Sequence, residues 1–203
     1  MDCSKLANKQ LYARIVSDDS YFTGIQGYVS IPIKRAVPDP CDYINFYIGL
    51  TSSDEKEVVE AGVSYGHMNG NWHYFIHTKN STEIFHSKPF STQPQPGETV
   101  HLMLVNNGDD TVTLNVNGYE VYTNISAPNL GAQNYVNMVC AAADYMPNEY
   151  NVSHKQVNWS AVQVYQNGHW VNWDSNIYFT PARDPSGRYT IIQDLPLEAT
   201  LYT

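Results

Sequence analysis

Cationic side chains are scarce in this chain. Lysine and arginine together number 11 in 203 residues, against 20 aspartates and glutamates, which leaves a formal net charge of −9. Nucleic-acid binding needs a lysine and arginine patch to displace counterions from phosphate, and the few cations here are scattered, so nucleic acid is excluded as a partner. Attraction to an anionic membrane surface is excluded on the same ground. No stretch approaches the ~18 consecutive apolar residues of a membrane-spanning helix. Charged residues of either sign make up only 15% of the chain, below the ~25% of an average soluble domain. Cysteine is rare too, with three copies and no paired spacing of Cys or His that would build a metal centre. No GxSxG element marks a serine nucleophile.

Those absences leave the polar surface to Asn, Gln, Ser, Thr and Tyr, and tyrosine is abundant at 16 copies. A tyrosine ring offers an apolar body and a polar tip, which suits a sugar-binding surface; it is also a good strand former. Met1-Asp2-Cys3-Ser4 lacks the basic start and apolar run of a signal peptide. Low charge with much Tyr and Asn nevertheless resembles exported proteins. The expectation is therefore a secreted or cell-surface protein whose leader is absent from this chain. Cys3 and Cys41 can pair in an oxidising compartment, leaving Cys140 as a buried thiol in an apolar strand.

Strand patterns dominate. Asp42–Leu50 (DYINFYIGL) alternates, with Ile44, Phe46, Ile48 and Leu50 on one face and Tyr43, Asn45 and Tyr47 on the other. Val58–Tyr65 (VVEAGVSY) puts Val59, Ala61, Val63 and Tyr65 on a core face. Its opposite face holds a single carboxylate, Glu60, beside Gly62 and Ser64. Small neighbours leave room around a charged group, which is how a groove floor looks. Gly70-Asn71 leads into Trp72–Thr78 (WHYFIHT), and Asn117-Gly118 and Asn167-Gly168 read as tight hairpin turns. Further strands are expected at Leu11–Val16, Gly27–Ile33, Thr99–Asn106, Thr111–Val116, Tyr119–Thr123, Tyr135–Ala143, Gln156–Tyr165, His169–Trp173, Arg188–Ile192 and Ala199–Tyr202. Prolines at 38–40, 89–96 and 181–185 read as loops. About a dozen short strands and no helix predict one all-β domain over residues 1–203, with 174–203 as an extension wrapping it.

Two passages carry a resemblance. GETVHLMLVNNGDDTVTLNVNGYEV (Gly97–Val121) looks like the strand–turn–strand run of concanavalin A-like jelly-roll sandwiches. VVEAGVSY followed by GNWHYFIHT is similar to the groove strands of the glutamic peptidases (eqolisins), which share that architecture. The resemblance implies a two-sheet antiparallel sandwich with a substrate groove on a concave sheet. Glu60 sits where that family has its catalytic Gln. The segment matching the family's catalytic Glu reads NMVCAAAD (Asn137–Asp144) and contains no Glu. The family's chemistry needs a carboxylic acid and an amide acting together, so peptidase activity is not expected.

The groove predicted from these faces is lined by Tyr43, Asn45, Tyr47, Glu60, Ser64, His73, Phe75 and His77, with Trp72 as an aromatic platform. Its expected role is recognition of a polysaccharide or glycoconjugate without catalysis: aromatic faces stack on sugar rings and polar tips bond hydroxyls. One alternative is a secreted hydrolase using Glu60 with a second carboxylate, Asp144 first, then Glu149 or Glu120. Another is a structural or host-interacting surface protein. No cofactor is expected beyond calcium at the oxygen-rich loop Asn107-Gly108-Asp109-Asp110, where turn chemistry offers a simpler account. His73 and His77 share a face but stand ~13 Å apart at strand rise, too far for one metal ion.

Overall fold

The alternating segments all become strands. The computed structural model describes residues 9–66, 70–79, 83–145 and 151–202, and no helix occurs among them. One sheet has seven strands: β14 (Phe179–Arg183), β1 (Lys9–Ser17), β11 (Asn134–Asp144), β4 (Tyr43–Ser52), β5 (Val58–Gly66), β6 (Trp72–Lys79) and β7 (Ile84–Pro89), in that order. The other has nine. Its main path runs β10 (Tyr119–Ser126), β9 (Thr111–Val116), β8 (Thr99–Asn106), β2 (Gly24–Ser30), β12 (Ser153–Gln166), β16 (Glu198–Leu201) and β15 (Tyr189–Gln193). β3 (Arg35–Ala36) and β13 (His169–Asn172) add to it by pairing with β12. The pairing is antiparallel in both sheets.

The sheets close on each other through the faces that the alternation marks. Ile44, Phe46, Ile48, Leu50, Val59, Ala61 and Val63 of one sheet are fully buried, as are Ile25, Val29, Val100, Leu102, Leu104, Val112 and Leu114 of the other. Each such side chain larger than alanine contributes ~1.5–3 kcal/mol relative to an exposed position. The hairpins follow turn chemistry. Asn117 and Gly118 (φ 52° and 85°) and Asn167 and Gly168 (φ 51° and 82°) take the left-handed angles of a two-residue turn whose twist matches the strands. The Asn107–Asp110 loop is likewise a turn: the Asn107 N–H donates to the Thr111 carbonyl and the Thr111 hydroxyl to the Asp109 carboxylate.

Several expectations need correction. The segment 174–203 does not merely wrap the sandwich: β14 extends one sheet, and β15 and β16 extend the other. Pro181 sits inside β14, opposite Ile15. A proline is tolerated there because β14 is an edge strand, where one side of the backbone needs no ladder bond. β7 also falls in a stretch that ends at a proline, Pro89, and it too is an edge. Cys41 is disulfide-bonded and Cys140 is a free, buried thiol; Cys3 lies outside the described residues.

Candidate functional site

The outer face of the seven-stranded sheet carries a groove of about 850 Å³ that crosses β1, β11, β4, β5, β6 and β7. Five strand spacings make that crossing ~24 Å long. Its floor is set by register, because residues paired across antiparallel strands share a face. One row runs Arg14, Val139, Tyr47, Gly62, Phe75, Ser87. The next runs Tyr12, Ala141, Asn45, Ser64, His73, Pro89, and a third runs Val16, Asn137, Gly49, Glu60, His77, Phe85. Tyr43, Asn45, Tyr47, Glu60, Ser64, His73, Phe75 and His77 all line this one cavity.

Trp72 does not. It pairs with Tyr65, faces the inter-sheet core and is 2% exposed, its ring 5.9 Å from Phe46 and 5.4 Å from Tyr65. It stands one residue from His73, and one residue along a strand reverses the face. The aromatic wall is instead made by Phe75, which meets Tyr47 edge-on at 6.2 Å, and by Phe85. Phe85 is 60% exposed and lies 6.2 Å from Phe75 and 5.5 Å from His77. Phe85 and Ser87 come from β7, which the prolines hid. Tyr12 and Arg14 had a visible signal, the outward positions between Leu11, Ala13 and Ile15.

The room read from small residues beside Glu60 is partly filled. A Cβ on Gly62 would lie 2.2 Å from the Phe46 carbonyl and 2.6 Å from Tyr47 Cα, so glycine lets β4 come close. Above Gly49, the Asn137 amide occupies the space, with its Oδ1 2.8 Å from where a Cβ would be.

Glu60 is held by its neighbours. Lys79 donates from Nζ to Oε2 at 2.7 Å, and the Tyr47 hydroxyl is a second hydrogen-bond partner. Burial, and then the Glu60 charge and its hydrogen bond, push the Tyr47 phenol well above its ordinary range. Burial also pushes Tyr43 up to about 12, with the charges of Tyr145 and Glu60 adding to it. His77 is shifted down, first by burial and then by Lys79, against the opposing pull of Glu60 and Glu83. It is therefore a neutral ring at neutral pH. Asn45 stands in the row beside that of Tyr47, with its Oδ1 buried and without a hydrogen-bond partner. His73 Nδ1 is 3.2 Å from Ser87 Oγ.

The second carboxylates proposed for a hydrolase are not beside Glu60. Asp144 is on the opposite face of β11, 0% exposed, and ion-paired to Arg188 at 3.1 Å. Glu120 lies on β10 of the other sheet, and Glu149 is outside the described residues. Among the described residues, the other carboxylate lining the groove is Asp42. It precedes β4, seven positions before Gly49, which pairs with Glu60, a separation of ~23 Å along the strand. Glycosidase pairs stand ~5–9.5 Å apart. Among the described residues no group of three or more His, Cys, Asp or Glu side chains is placed to hold a metal ion.

The fold defines a class: the chain is a jelly-roll sandwich of the concanavalin A-like type. No protein-family profile matches the chain, and no curated protein does. Among solved structures it is similar to scytalido-glutamic peptidase bound to a transition-state analogue inhibitor, with a TM-score of 0.69 and 12% identity over 97% of this chain and 100% of that one. It is also similar to SCP-B, a member of the eqolisin family of peptidases in complex with the tripeptide Ala-Ile-His (TM-score 0.64, 11% identity, 97% and 100% covered). A weaker likeness is to a glycoside hydrolase family 16 endo-glucanase from Bacteroides ovatus (TM-score 0.47, 13% identity, 69% and 72% covered).

Proposed function

We propose that the groove binds an extended polymer, a polysaccharide or the glycan of a glycoconjugate, without cleaving it. The observation that carries this reading lies on the groove floor. The Asn45 carbonyl is buried with no partner in the chain, and Tyr12, Tyr47 and Phe75 line the same cavity. A buried polar atom left unpaired calls for an explanation, and one at a groove floor is explained by a ligand donor; aromatic walls with few placed polar groups suit sugar rings. Glu60 supports binding rather than hydrolysis. It is engaged by Lys79 and Tyr47, and the other groove carboxylate is too distant to share a glycosidic bond with it.

The eqolisin-like architecture raises peptide as the competing ligand, and the segment matching the family's catalytic Glu argues against cleavage, since Asn137–Asp144 supplies an amide and a core-facing acid there. The reading also places the protein outside the cell or on its surface, which the disulfide-bonded Cys41 supports, because such bonds persist in oxidising compartments. A glycan-array screen beside polysaccharide and denatured-protein hydrolysis panels tests it. Glycan binding lost on Asn45→Ala, with both hydrolysis panels blank, is the expected result. Turnover abolished by Glu60→Gln overturns the non-catalytic reading, and binding to peptides alone overturns the glycan.

A further inference from the structure

A second pocket lies apart from the groove, at an end of the sandwich where β3 enters. It holds about 410 Å³ and is lined by Ile33, Lys34, Arg35, Val37 and Tyr65. Two of these five side chains are cations and none is an acid, in a chain that carries −9. The Arg35 guanidinium carbon lies 3.9 Å from the centroid of the Tyr65 ring and 5.4 Å from that of Trp72, at the end of the core. Its Nε is buried and has no hydrogen-bond partner. Glu98, on the strand-edge turn beside Ile31, spends its carboxylate on the Gln95 N–H.

We infer that this pocket is a binding site for an oxyanion: a phosphate, a sulfate or a carboxylate. The close Tyr65 ring, with Trp72 farther off, holds the cation in place through its π face. The guanidinium's in-plane N–H donors need acceptors, and a fork of donors held in a plane is the geometry that takes two oxygens of one anion. The Nε–H has no partner within the chain, and a charged donor left unpaired calls for one. Lys34 supplies a second positive charge at the exposed rim. Ile33, 67% exposed, gives that rim an apolar side, and the volume exceeds a bare ion, so a carboxylate borne on a sugar ring also fits.

The test is titration of the full chain at constant ionic strength, balanced with chloride, followed by amide chemical shifts. The probes are inorganic phosphate, inorganic sulfate, galacturonate and uncharged galactose. Expected are saturable shifts at residues 33–37 and 65 with at least one of the three anions, and none there with galactose. Arg35→Lys keeps the charge and loses the planar fork, and should weaken binding about tenfold. Lys34→Gln, at an exposed position, should weaken it by a smaller factor. If Arg35→Lys does not fold, the Lys34→Gln titration decides alone. Tighter binding of galacturonate than of the free ions supports a sugar acid, and equal binding supports a free oxyanion. Absence of saturable shifts at tens of millimolar anion, unchanged affinity in the folded variants, or galactose binding as well as galacturonate overturns the site.

Discussion

Glu60 and Lys79 bind each other diagonally across the β5–β6 pair. Glu60 stands directly opposite His77, and Lys79, two residues on, reaches back 2.7 Å to the Glu60 carboxylate. The carboxylate is 18% exposed and the lysine 37%, so water screens the attraction and the pair is worth ~1 kcal/mol or less. Lys79→Met should lower stability by about that amount, and the Glu60→Gln/Lys79→Met double variant should recover part of it. Urea unfolding of the four proteins measures the coupling. A coupling indistinguishable from zero would mean that the contact orders Glu60 without stabilising the fold.

Phe85 separates binding from folding. It is largely exposed on an edge strand, so Phe85→Ala should change stability by only ~0.5 kcal/mol. Its ring closes one wall of the groove against Phe75 and His77. Affinity for a polysaccharide found in the array should fall roughly tenfold to a hundredfold, the equivalent of ~1–3 kcal/mol. Unchanged affinity by calorimetry would move the ligand off this wall.

Tyr47 behaves differently from what its outward position on the strand suggests. Its ring is largely buried in the groove floor, so Tyr47→Ala removes packing as well as a hydroxyl. Tyr47→Phe is the cleaner change: it deletes the hydrogen bond to Glu60 and should cost ~1 kcal/mol of stability. Weaker glycan binding by Tyr47→Phe would place the hydroxyl, held protonated by burial and by Glu60, in direct contact with the ligand.

Asp144 is a structural acid. Its carboxylate is fully buried against Arg188, which also donates to the Val152 and Tyr202 carbonyls. Asp144→Ala strands that guanidinium in the interior and should cost ~3–5 kcal/mol. The loss should appear in thermal unfolding. Asp144→Asn that kept its melting temperature while losing glycan binding would contradict this assignment.

His154 makes stability pH-dependent. It is a buried residue of β12, donates from Nδ1 to the Lys155 carbonyl and accepts from the Tyr189 hydroxyl at Nε2, a neutral tautomer. Burial lowers its pKa from 6.5 to about 4. The unfolded chain therefore binds the proton first as pH falls, and stability is lost on going down from about 6.5 toward 4. Between pH 7 and pH 5 the loss should be ~2 kcal/mol, measured by denaturant unfolding, and His154→Gln should flatten that slope. An unaltered slope would assign it to other groups.

Much of the sandwich was legible because two-residue alternation determines which face is buried. Thr99–Asn106 and Thr111–Val116 fall on β8 and β9 residue for residue. Most of the groove floor followed from the same parity, once Tyr43, Asn45 and Tyr47 were set opposite Ile44, Phe46 and Ile48. Residue type points Trp72 to the groove, whereas parity with Tyr74 and Ile76 puts it in the core. β7 and β14 stayed hidden because their prolines exclude interior strands but not edges. The pairing of Arg35 with the Tyr65 ring had no local signal, since thirty residues separate them and only the closure of two sheets brings them together. The filling of the space at Gly62 by Tyr47 likewise belongs to the closeness of two backbones, which no single strand records.

Strand β1 is an interior strand of its sheet, one in from the edge, and both its partners come late in the sequence. β1 pairs with β11 on one side and β14 on the other. The hydrogen bond from the Val136 N–H to Ser17 closes a loop of 119 residues, and that from the Tyr12 N–H to Asp184 one of 172. As the chain leaves the ribosome, Leu11, Ala13 and Ile15 have no partner strand until most of the sequence has emerged. Long loops delay contact formation, and apolar strands exposed meanwhile invite misassembly. The sandwich therefore stays open until β11 has emerged, and β14, β15 and β16 complete both sheets.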